Sequence, residues 1–133
     1  MSAAERLGAL VSVWQHGSIE LGRLAAANGI AYYQFLQPNQ YDDGAKPMDA
    51  DERRVAFRED HPYRPGARAG YPLLRDAGRH ISSAGIAFYD LSRIFAGDRT
   101  LLFADDCCHL RPEGYERIAD RIADVIGTVR PPR

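Results

Sequence analysis

Apolar residues recur every three or four positions at the start of the chain, at Leu7, Leu10, Val11, Trp14, Leu21, Leu24 and Ala25. That is the spacing of one helical face. Ser2, followed three positions later by Glu5, has the form of a capping box, in which each side chain satisfies a backbone N–H at the helix start. Gly17 falls on the stripe as a point of kinking or close packing, and Asn28-Gly29 supplies a stop tolerant of left-handed geometry. The pattern then changes. Ile30-Ala31-Tyr32-Tyr33-Gln34-Phe35-Leu36 is short, rich in β-formers and closed by Gln37-Pro38-Asn39, which predicts a buried strand.

Residues 37–70 carry prolines 38, 47, 62 and 65 and glycines 44, 66 and 70, and are expected to be an irregular, substrate-side loop insertion. One short helix is predicted inside it, capped by Asp49 with Glu52 at the third helical position. So long a connection is more often functional than filler. A helix then runs through Leu74, Ala77, Ile81 and Ala84 to Gly85 and feeds a second strand, Ile86 to Leu91. A brief apolar stretch, Thr100 to Ala104, precedes a final helix starting near Pro112, a favoured first-turn proline. Its apolar face is read as Tyr115, Ile118, Ala119, Ile122 and Ile126. Helices alternating with strands argue for an α/β fold with a parallel sheet covered on both faces. Only two strands are evident, however, and two parallel strands leave edges and flanks uncovered. Residues 1–133 are therefore expected to form part of a single larger domain, able to self-associate through an exposed sheet edge.

Composition narrows the classes. The 133 residues are 45% hydrophobic and 26% charged with a net charge of −1, which gives no electrostatic reason to expect nucleic acid as partner. Arg64, Arg68, Arg75 and Arg79 lack interleaved aromatics at base-stacking spacing and read as a solvated face. No apolar run is long enough for a membrane span, and the N-terminus lacks the basic-then-apolar layout of a signal peptide, so the sequence leaves the compartment open. The two cysteines, Cys107 and Cys108, are adjacent. They make neither a disulfide framework nor a zinc site and read as small buried hydrophobes. No metal or cofactor is expected.

The chemistry concentrates in Asp105-Asp106-Cys107-Cys108-His109-Leu110-Arg111-Pro112. An acid held in a tight loop just before a histidine can accept the imidazole Nδ1–H and leave Nε2 free to take a proton from a nucleophile. Two consecutive acids leave open which of Asp106 and Asp105 does so. The bland reading is a loop-capping carboxylate beside a surface histidine, or a charge at the N-terminus of the last helix. Gln37, Asn39 and Tyr41 follow the C-terminal end of the first strand, where open α/β sheets bind ligands, and are candidate pocket residues. Turn chemistry at Pro38 explains Asn39 almost as well.

The block Phe103 to Leu110, followed by Pro112-Glu113-Gly114 and a terminal helix, resembles the last conserved block of the SGNH (GDSL-type) hydrolases. The likeness extends upstream through Leu36-Gln37-Pro38-Asn39-Gln40-Tyr41, Tyr71-Pro72-Leu73 and Ile86 to Leu91, and covers only the C-terminal part of that family's domain. It implies a flavodoxin-like three-layer sandwich, of which this is the C-terminal portion, with His109 as catalytic base and Asp106 (or Asp105) as its orienting acid. It also implies a small-molecule ester as substrate of the complete domain. Arg111 and Tyr115 stand where the family commonly has asparagine. The family's Gly-Asp-Ser and Gly-x-Asn-Asp blocks are missing, and Ser2, Ser12, Ser18, Ser82, Ser83 and Ser92 lack the surroundings of its nucleophile. The expectation is a fragment of a serine esterase, inactive alone, supplying the His–Asp part of a triad. The alternative is a non-catalytic half-domain that acts as an interaction protein, or an inactive relic.

Overall fold

The computed structural model describes residues 1–128. Its elements are helix α1 (Ala3–Ala27), strand β1 (Tyr33–Leu36), helices α2 (Ala50–Ala56) and α3 (Arg64–Ser83), strand β2 (Ala87–Asp90) and helix α4 (Pro112–Thr128). The chain forms two compact units, Met1–Gln37 with Pro65–Leu91, and Pro38–Arg64 with the described residues from Ser92 onward.

In the first unit α1 starts as the sequence predicts. Ser2 Oγ accepts the Glu5 N–H at 3.2 Å and Glu5 Oε2 accepts the Ser2 N–H at 2.6 Å, a complete capping box. The capping bonds also hold the Glu5 carboxyl below the usual range. β1 and β2 pair in parallel, with Tyr33 opposite Ala87 and Leu36 opposite Asp90. Both helices of the unit meet the Phe88 face of this sheet. Trp14 lies edge-on to Phe88 with ring centroids 6.1 Å apart, and a Cβ on Gly78 of α3 would strike the same ring. Gly22 of α1 lies equally tight against Ile86. On the opposite face, Phe35 and Tyr89 stack on each other at 5.4 Å.

The flavodoxin-like three-layer sandwich is therefore incorrect for this chain. Helices make up 54% of the described residues and the sheet has two strands. Two strands of four residues carry too little backbone pairing and apolar surface to organise a layer on each side, and α1 and α3 both use one face. The third apolar stretch adds no strand to the sheet. It contributes an isolated antiparallel bridge, Phe103 to Leu110.

Two predicted element boundaries also move. α3 begins at Arg64, well ahead of Leu74, and runs through Pro72. Gly70 and Tyr71 are buried on it, and the Tyr71 hydroxyl donates to the Gln37 carbonyl at 2.9 Å. Packing thus overrides the proline and glycines that suggest a loop. On α1 the predicted stripe is only partly a core face, because Leu10, Leu21 and Leu24 are more than half exposed.

The second unit packs Ala56, Phe95, Leu102, Phe103 and Leu110 as its core, with Met48, Ile94 and Ile118 against it. Phe95 and Phe103 meet edge-on at 6.2 Å. α4 turns Gly114 and Val125 inward, whereas Tyr115 and Ile126 of the predicted stripe are exposed.

Candidate functional site

The Asp–His loop is the closed end of a small hairpin in the second unit. The Phe103–Leu110 bridge sets its base, where Ala104 N–H donates to His109 O and Arg111 N–H to Leu102 O, each at 2.8 Å. Inside the loop Cys108 takes a left-handed φ of 83°, the one such non-glycine residue among those described. This kink lets the chain double back so that one carboxylate serves three donors. Asp105 Oδ1 accepts the Cys107 N–H at 2.8 Å and the His109 N–H at 3.3 Å, while Oδ2 lies 2.6 Å from His109 Nδ1. The His109 bond, helped by the two amides, holds the Asp105 carboxyl below the usual carboxylate range. An ionised carboxylate only accepts, so Nδ1 carries a proton, and in the neutral ring Nε2 presents its lone pair. The His109 side chain is 64% exposed, and Nε2 has no hydrogen bond among the described residues.

Of the two acids named from the sequence, Asp105 makes this contact and Asp106 does not. Asp106 Oδ2 instead pairs with Arg58 Nη1 at 3.3 Å. Of the candidate pocket residues, Asn39 caps its own turn, its Oδ1 accepting the Tyr41 N–H at 2.9 Å. Tyr41 is 2% exposed and acts as a brace, its hydroxyl donating to Asp106 O at 2.8 Å. Its ring stacks on His61 at 5.2 Å, and burial pushes its phenol up. Gln37 belongs to the first unit, where its carbonyl receives Tyr71. Cys107 and Cys108 are half-buried. Burial, with Cys107 and Asp105 adding to it, raises the Cys108 thiol.

Three supports of the loop are absent from the sequence reading. Gln40 Nε2 donates to Asp105 O at 3.0 Å and to Ala56 O at 3.2 Å. His61, 8% exposed, backs Tyr41. Glu52 is the third. Its amide takes the expected Asp49 cap at 2.8 Å, but its carboxylate turns inward. Oε1 accepts the Leu102 and Phe103 N–H groups at 2.8 and 2.9 Å, and Oε2 pairs with Lys46 Nζ at 2.6 Å, with both side chains fully buried. The one signal for this in the sequence is a glutamate at a cap position, which points to a local bond and not to a partner fifty residues away.

A cavity of about 170 Å3 in the same unit is lined by Tyr41, Lys46, Arg53, Phe57 and Arg64 among others, and neither Asp105 nor His109 reaches it. Ser92, the one serine in this unit, is fully buried. Among the described residues no three His, Cys, Asp or Glu side chains converge as a metal site, and no helix is long and apolar enough to cross a membrane. No family model, curated protein or solved structure matches the chain. The chemistry open to the site is proton abstraction at Nε2 by an imidazole whose tautomer a carboxylate fixes.

Proposed function

We propose that this chain supplies the His–Asp general-base pair of an SGNH (GDSL-type) serine esterase whose nucleophile and oxyanion donors lie on other polypeptide. The observation that carries this reading is the 2.6 Å contact between Asp105 Oδ2 and His109 Nδ1, on a ring more than half exposed. In the completed site, an exposed serine hydroxyl attacks the acyl carbon of a small-molecule ester while His109 Nε2 takes its proton. Asp105 stabilises the imidazolium that results. Asp105 takes this role over Asp106 because it alone bonds the ring.

Alone, the chain lacks the largest catalytic terms, an activated nucleophile and an oxyanion hole. Its remaining contribution is general-base activation of water, about 100-fold to 10,000-fold in favourable geometry. A second reading, a non-catalytic interaction protein, draws on the two-stranded sheet, each of whose strands has one neighbour. Hydrolysis of an aryl acetate separates the two. The esterase reading expects no serine-esterase activity from the chain alone, only a slow general-base attack of water on this activated ester, which falls to background in His109→Ala, drops about tenfold in Asp105→Asn and is unchanged in Asp106→Asn. Identical rates in wild type and His109→Ala would leave the interaction reading standing.

A further inference from the structure

α1 is apolar on two sides. Leu7, Trp14, Ser18 and Gly22 are buried or half-buried within the first unit, while Leu10, Val13, Leu21 and Leu24 stand 67%, 71%, 54% and 62% exposed. An apolar stripe on a helix is ordinarily covered. The exposed set has an order of its own. With Gly17, also exposed and with nothing near the position of a Cβ, it reads 10, 13, 17, 21, 24, a repeat averaging three and a half residues, as in a helix–helix seam. The spacing is the same in both directions from Gly17.

We propose that this stripe is the interface with a second copy of the chain, in which two α1 helices pack antiparallel about a two-fold axis at Gly17. Leu10 then faces Leu24 of the second copy and Val13 faces its Leu21, while the two Gly17 residues face each other and let the backbones approach. A twofold interface requires such self-complementarity, and an arbitrary apolar stripe does not have it. Beside Leu10 and Val13 runs a hollow of about 280 Å3, completed by Met1, Arg6 and Ala9, which receives Leu24 of the second copy.

Charge agrees with this register. The last turn of α1 contains no basic residue of its own, and the pairing sets Arg6 of each copy beside the Asn28 end of the other, where its cation meets the negative end of the helix dipole. The four side chains, each more than half exposed, supply apolar surface whose removal from water favours association.

Sedimentation equilibrium of the full chain, joined to cysteine cross-linking, tests this. With Cys107 and Cys108 changed to serine, Gly17→Cys is expected to oxidise to a covalent dimer, and Ser12→Cys, exposed but off the seam, is not. Leu10→Glu with Leu24→Glu, both at exposed positions, is expected to give a folded monomer by circular dichroism and sedimentation. A wild-type chain that stays monomeric at hundred-micromolar concentration overturns the proposal. So does a dimer that survives the double glutamate variant, since a sheet edge or another surface would then hold it.

Discussion

One carboxylate in the loop does the work that the sequence divides between two candidates. Asp105 reaches the His109 ring because the left-handed turn at Cys108 folds the loop over it, whereas Asp106 points to Arg58. The sequence shows both acids and the histidine; it does not show the φ of Cys108, on which the choice turns. Because the His109 bond is the first cause of the lowered Asp105 pKa, His109→Ala is expected to move the Asp105 titration up toward the usual carboxylate range, read by NMR of its carboxyl carbon. In the wild type the stabilising effect of this pair is in place above the pKa of an unfolded aspartate, about 3.9. It is lost as pH falls through the lower folded value. Glu52 matters more to the fold. Glu52→Ala leaves the Lys46 ammonium buried without its partner and two amides without an acceptor, and is expected to cost about 3–5 kcal/mol, measured as a lower urea midpoint.

Among the elements, those governed by local chemistry are the ones legible in advance. α1 follows from its capping box and its Asn-Gly stop, α4 from its proline start, and both strands from their runs of β-formers. What misleads is the inference from apolar spacing to buried face. Leu10, Leu21 and Leu24 share a helix with Trp14 and Gly22, and spacing alone does not say which side meets the sheet. The start of α3 is hidden for a related reason, since Gly70 and Tyr71 are held by tertiary contacts that outweigh Pro72. Gly78 marks where α3 comes down on β2. Gly78→Ala gains helix propensity of about 1 kcal/mol but drives a methyl into the Phe88 ring. With overpacking costing about 1–3 kcal/mol, the net expectation is a lower melting temperature, and Phe88→Leu in the same background is expected to restore part of it.

At the scale of the whole molecule, the described residues of the second unit hold an acid–histidine pair and one serine, Ser92, which is buried, and the sheet is too small to carry a layer of helices on each face. The alternation of helix and strand reads as a parallel α/β architecture, and the parallel pairing of β1 with β2 is present. The extrapolation from that pair to a sandwich fails, because a sequence pattern gives the type of each element but not the number of strands its partners supply. The site is legible to the same degree. The acid–histidine pair is visible from spacing, while its supports, Glu52, Gln40 and Tyr41, come from a segment dozens of residues away that reads as a loop with one short helix, in which nothing marks them as partners of the pair. The exposed stripe of α1 is expected to be covered by the same stripe of a second copy.

The Asp105 contact is expected to hold the proton on Nδ1 of His109 and leave Nε2 to accept one. Nitrogen-15 NMR of the His109 ring, at a pH where the ring is neutral, reads this directly in the wild type, Asp105→Asn and Asp106→Asn. The Nδ1–H tautomer is expected in the wild type and in Asp106→Asn, with the two tautomers mixed in Asp105→Asn. An Nε2–H ring in the wild type, or a tautomer that responds to Asp106 and not to Asp105, would contradict it.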